Sequence, residues 1–68
     1  MNDDTFNMSL RKFLKTVGVN SQREIEQAVA RSLESGQLTG NESFPAEMTL
    51  TVGKLALKAS FDGEIRLE

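Results

Sequence analysis

The sequence predicts a two-layer α+β protein of element order ααβββ, in which a helical hairpin packs on one face of a three-stranded antiparallel meander. Three observations predict this fold class. Apolar residues recur with the period of an α-helix between residues 6 and 33, and with period two between residues 48 and 67. Glycines fall inside both patterns, at Gly18 in the first and at Gly53 and Gly63 in the second, where each is expected to allow a turn.

The first helix is predicted over residues 3–17. Its apolar residues form one stripe at helical spacing, namely Phe6, Leu10, Phe13, Leu14 and Val17. Asn2 or Asp4 can cap the start, because a short polar side chain accepts a hydrogen bond from a free amide of the first turn. Gly18 is expected to end the helix in the left-handed conformation, which glycine adopts without steric cost.

A second helix is predicted over residues 22–35. Ser21 and Glu24 match the spacing of a capping box, in which each side chain bonds a backbone amide at the helix start. The buried stripe is expected to contain Ile25, Ala28, Val29 and Leu33. Gly36 is expected to end this helix. The short link after Gly18 leaves room only for a hairpin or a corner between the two helices.

Residues 38–46 are predicted to form a loop, since they contain a Gly-Asn turn signal and no clear period. Phe44 is the large apolar residue of this loop and is expected to return to the core. Pro45 has no amide proton, so the strand that it introduces, over residues 47–52, is predicted to lie at an edge of the sheet.

The strands over residues 47–52 and 55–60 are predicted to pair through a tight turn at Gly53-Lys54. Apolar positions change from even to odd numbers across this turn, as a two-residue hairpin loop requires. The predicted pairs share one face of the sheet and are Val52 with Leu55, Leu50 with Leu57, and Met48 with Ala59.

A second turn is predicted at Asp62-Gly63, followed by a third strand over residues 64–68. A loop over residues 61–63, with its glycine left-handed in a bulge, keeps Ile65 and Leu67 in phase with the apolar face. The opposite face is nearly all polar, so the helices are expected to cover the sheet on one side only.

The amino-acid composition limits which catalytic and metal-binding sites the chain can form. The 68 residues suffice for a single domain, 1–68, and include no cysteine, histidine or tyrosine. Disulfides and metal sites built on thiolate or imidazole are therefore excluded, and the usual general base near neutral pH is missing. Carboxylates such as Glu24 and Glu26 point apart on a helix. We therefore predict no catalytic, cofactor-binding or metal-binding residue, and no enzyme activity.

The sequence also predicts a cytoplasmic address. No stretch is long and apolar enough to span a membrane. The first helix could lie on a membrane surface, but core packing explains its apolar stripe better, so no membrane association is predicted. The opening residues MNDDTFNMSL carry acids where a signal peptide carries positive charge. The absence of cysteine suits a reducing compartment.

A degenerate helix-turn-helix is the alternative functional hypothesis. The stretch FLKTVGVNSQREIEQAVARSL has the turn glycine and capped second helix of that motif. However, Glu24 occupies a position where the motif needs a buried apolar residue, and the second helix is net acidic. Arg11, Lys12 and Lys15 form either a phosphate-binding patch or a solvated helix face. With a formal net charge of −2, nucleic-acid binding is the less favoured hypothesis.

The favoured hypothesis is a small non-enzymatic module that acts through protein contacts or has a structural role. A small core and a sheet with free edges invite association. We expect an unknown protein partner or a weak homodimer, formed through the third strand or the Phe44 loop.

The segments TFNMSLRKFLKTVGVNSQREIEQAV and MTLTVGKLAL resemble a family of short bacterial proteins, of about this length, that carries only a domain-of-unknown-function label. The similarity covers most of the chain and departs mainly in its last residues. It implies a bacterial, cytoplasmic, free-standing protein. It implies no activity, substrate or site residue.

Overall fold

The structure, a computed structural model, describes residues 1–68. It contains one long helix, α1 (Asp3–Glu34), followed by two antiparallel strands, β1 (Ser43–Val52) and β2 (Leu57–Arg66), with a 3-10 turn (Gly53–Leu55) between the strands. The predicted α+β composition is confirmed. The predicted ααβββ order is wrong, because the structure has neither a helical hairpin nor a third strand.

The chain divides into two compact units, Met1–Gln37 and Leu38–Glu68. The first unit holds α1, and the second holds the two strands with the loop that precedes them. Each unit is described by itself below.

Helix α1 runs through the predicted break at Gly18. Gly18 has no positive φ, unlike Gly36 and Gly40, and it lies within a continuous helix of 32 residues. The apolar pattern explains the continuity, because Val17 is followed at helical spacing by Ser21, Ile25 and Ala28 on the same side. An interior glycine costs about 1 kcal/mol. Stopping the helix would instead leave a full set of orphan amides and carbonyls at each new end.

The ends of α1 agree with the sequence. The backbone amide of Thr5 donates to the Asn2 side-chain oxygen at 3.1 Å, which confirms Asn2 as the cap. The helix ends at Glu34, with Ser35 as its C-cap. Gly36 follows with φ of +84°, the left-handed conformation expected after a helix end. The predicted capping box at Ser21 is not used, since no helix begins there.

Strands β1 and β2 form a two-stranded antiparallel ribbon in which the turn is longer than predicted. Val52 lies opposite Leu57 rather than Leu55, and Leu50 lies opposite Ala59. The 3-10 turn takes up Gly53–Leu55, and Ala56 closes it with φ of +50°. The shift from the predicted register is two residues, so every strand side chain keeps its predicted face.

The predicted turn at Asp62-Gly63 is absent, and β2 continues through it. Asp62 lies opposite Glu47, and Gly63 lies opposite Ala46. The continuity follows from β1, which begins at Ser43 rather than at residue 47 and so supplies partners for the end of β2. The stretch 43–46, predicted as the end of a loop, is therefore strand, and Phe44 lies opposite Ile65. The period of two is unbroken on both strands, which is why both stay extended.

Candidate functional site

Each of the two units buries no side chain of its own, apolar or polar. Each unit therefore has apolar side chains that its own residues leave uncovered.

The first apolar surface, which we call the helix stripe, runs along α1. Residues eleven positions apart differ by only about 20° around a helix, so the two predicted stripes merge into one. Phe13 remains 50% exposed and Leu14 remains 54% exposed. The members of the helix stripe are Phe6, Leu10, Phe13, Leu14, Val17, Ser21, Ile25 and Ala28. Val29 and Leu33 lie farther around the helix, with Leu33 about 180° from Phe6.

The second apolar surface, which we call the ribbon face, is one side of the β1–β2 ribbon. On β1 it consists of Phe44, Ala46, Met48, Leu50 and Val52. On β2 it consists of Leu57, Ala59, Phe61, Gly63 and Ile65, which lie opposite those residues in register. Phe61 is 60% exposed. An isolated two-stranded hairpin is marginally stable at best in water, so this face requires a cover.

The other side of the ribbon is polar. The hydroxyls of Thr49 and Ser60, which lie opposite each other, form a hydrogen bond of 3.1 Å. Arg66 and Glu64 approach to 3.9 Å, but both side chains are more than half exposed, and such a pair adds little stability. This side has the character of a solvated surface.

The two edges of the ribbon differ. The Leu67 amide donates to the Glu42 carbonyl at 2.9 Å, and these residues continue the register of the strands. Hydrogen-bonded and non-hydrogen-bonded pairs alternate along an antiparallel ladder, and Leu67 and Glu42 alternate in step with the pairs of the apolar side. The pairs of the polar side are therefore non-hydrogen-bonded, and their amides and carbonyls point away from the partner strand. On β1 one of these residues is Pro45, which has no amide to offer. On β2 every such residue keeps its amide.

The loop before β1 is held by one carboxylate. The Glu42 side chain accepts hydrogen bonds from the amides of Thr39 and Gly40, the shortest of them 2.9 Å. These amide donors, Thr39 first, lower the pKa of Glu42 below its usual 4.5. Glu42 thus fixes the path of the chain into β1, and the contact is fully explained as a loop anchor.

The sequence hypothesis of a helix-turn-helix is wrong, because its turn residues lie inside α1. Arg11, Lys12 and Lys15 all project from α1 as exposed side chains, and none of them forms an ion pair. Glu24 and Glu26 lie on the same helix. No three carboxylates in the structure come close enough together to hold a metal ion.

The sequence predicts a free edge on a third strand over residues 64–68, which includes Glu64 and Arg66 of β2 but not Lys58, Ser60 or Asp62. The predicted loop over residues 61–63 is the cause of the difference. Apolar positions keep odd numbers from Leu57 to Leu67, a pattern that fits both a continuous strand and a three-residue loop.

Helix α1 is not apolar enough over any window to cross a membrane. The comparison with protein families gives one match, which covers residues 1–68 and is described as "Family of unknown function (DUF6494)". No curated protein and no solved structure matches the chain.

Proposed function

The chain belongs to a family of unknown function, DUF6494, and we propose that it is a small non-enzymatic interaction module that completes its hydrophobic core on another polypeptide. The observation that carries the proposal is that each unit has an apolar surface and buries no side chain of its own. The resemblance and the absence of cysteine support a bacterial cytoplasm as its address.

The helix stripe has the geometry that such a partner needs. It extends from Phe6 to Ala28, a span of about 33 Å along the helix axis. Burying one large apolar side chain contributes about 1.5–3 kcal/mol. Helices draw most of their stability from the packing of such a stripe rather than from intrinsic propensity. A single long helix whose apolar stripe is uncovered therefore lacks most of the packing that would stabilise it.

The experiment that tests the proposal compares two single lysine variants in an affinity capture from the native cell. Leu10→Lys places a charge in the helix stripe. Thr16→Lys places the same charge about 120° away around the helix, on the polar side. Lysates are treated with nuclease before capture, so that associations through nucleic acid are removed.

We expect the wild-type protein and T16K to retain the same protein partner, while L10K loses it. The native copy of the chain is scored separately, because a contact between copies need not involve the helix stripe. Equal capture of the other partner by L10K and the wild type would overturn the proposal. Loss of every partner after nuclease treatment would also overturn it, in favour of nucleic-acid binding.

A further inference from the structure

The free edge of β2, which we call the β2 edge, consists of the outward backbone groups of Lys58, Ser60, Asp62, Glu64 and Arg66. We propose that the β2 edge binds the β2 edge of a second copy of this chain, as an antiparallel pair about a two-fold axis at Phe61. This inference rests on the proposed function and names a second copy of the chain as the partner at this edge.

The hydrogen-bonding pattern selects the edge. Strand edges with free amides and carbonyls are templates for pairing with another strand. On β1, Pro45 removes one outward donor and places its ring on that side. On β2, none of the five outward residues is proline, and the strand extends over ten residues. The β2 edge is therefore the better template of the two.

Charge selects the register. With the axis at Phe61, Lys58 of one copy lies opposite Glu64 of the other, and this pair occurs twice by symmetry. Opposite charges facing each other across two strands are stabilising, and like charges are destabilising. Moving the axis to Asp62 would instead set Asp62 against itself and Lys58 against Arg66. Among the registers that avoid a like-charge pair, the register with its axis at Phe61 pairs the largest number of β2 residues.

The side-chain faces agree with the same register. Ser60 and Asp62 lie opposite each other on the polar side, where their outward amides form the hydrogen-bonded pairs. On the apolar side Phe61 meets its own copy, and Leu57 lies opposite Ile65. The ribbon face thus continues across the axis into a four-stranded sheet. Three or more strands with an apolar face are what a small sheet needs for independent stability.

The register is tested by single cysteine variants, since the natural chain has no cysteine. Phe61→Cys lies on the proposed axis at a non-hydrogen-bonded position, where the two Cα atoms are about 4.5 Å apart and within disulfide range. Leu57→Cys, on the same face of the same strand, is the matched control. Its two copies would be about 27 Å apart. We expect F61C to form a disulfide-linked dimer under mild oxidation and L57C to remain unlinked.

The charge pair is tested by reversal and rescue in sedimentation equilibrium. Lys58→Glu and Glu64→Lys are each expected to weaken the dimer about tenfold, because each creates two like-charge pairs. The double variant K58E/E64K is expected to restore the wild-type dissociation constant to within about threefold. Lys54→Glu, in the turn, has the same charge change as K58E and is expected to leave the dimer unaffected.

The outcomes separate this inference from the proposed function. If the chain associates but F61C and L57C cross-link equally and K58E/E64K shows no rescue, the β2 edge is not the interface. The proposed function would then stand with a different partner surface. If the chain is a cooperative monomer at every concentration and captures nothing, both are overturned.

Discussion

Phe61 lies directly opposite Met48 in the antiparallel register of β1 and β2, on the apolar side of the ribbon. Both side chains remain largely uncovered, with Phe61 60% and Met48 44% exposed. A pair of this kind stabilises a ribbon through cross-strand contact. The ribbon has only two strands, and neither covers these two side chains fully.

Because α1 is continuous through Gly18, adding a side chain at that position should stabilise the helix. Gly18 is helical and a Cβ built there meets nothing within 4 Å, so Gly18→Ala is expected to stabilise the protein by about 0.5–1 kcal/mol. For a domain of this size the midpoint of thermal unfolding should rise by about 4–8 °C per kcal/mol. Gly36→Ala is the control, because its φ of +84° makes alanine costly there, and it should lower the midpoint. A lower midpoint for G18A would contradict the continuous helix.

Gly63 gives the corresponding test of β2. Its backbone is extended rather than left-handed, and a Cβ there meets nothing within 4 Å. Gly63→Ala is therefore expected to raise the free energy of unfolding in urea by about 0.5–1 kcal/mol. Gly40→Ala, at φ of +109°, should lower it. Destabilisation by G63A would instead favour the turn that the sequence suggests at Asp62-Gly63.

How much of the fold the sequence predicts depends on which signals agree. Asn2, Gly36 and the faces of the strand residues are predicted correctly, because capping chemistry and period are local properties. Gly18 and Gly63 are misassigned because glycine permits a turn without requiring one. In both places the apolar pattern continues in phase, and that pattern decides the structure. The β2 edge is predicted only over residues 64–68, because the turn wrongly assigned at Asp62-Gly63 would make residues 55–60 a central strand.

Because Asn2 is the N-cap of α1, its substitution should lower the stability of the protein. Its side chain satisfies the Thr5 amide, so Asn2→Ala is expected to cost about 1 kcal/mol. The loss should appear as lower helix content and a lower midpoint in far-UV circular dichroism. Asn7→Ala, one turn into the helix, is the control and should be neutral or slightly stabilising, since alanine is the better helix former. Equal losses from both variants would show that Asn2 is not the cap.

The loop anchor predicts a pH dependence through Glu42. Because folding lowers the pKa of Glu42 below 4.5, its contribution to stability is fully present above that value. The contribution is lost as the pH falls through the lower pKa of the folded state. In a urea titration from about pH 6 to pH 3, the wild type should lose more stability than Glu42→Gln. Identical slopes for E42Q and the wild type would contradict the anchor.

If the fold is completed by association, as we propose, thermal unfolding over a thousandfold range of protein concentration should show a midpoint that rises with concentration, with loss of cooperativity at the dilute end. Association removes the folded chain from the unfolding equilibrium, so a higher concentration favours the folded state. A sharp transition with the same midpoint throughout, from a protein that sediments as a monomer, would show that the chain folds without a partner.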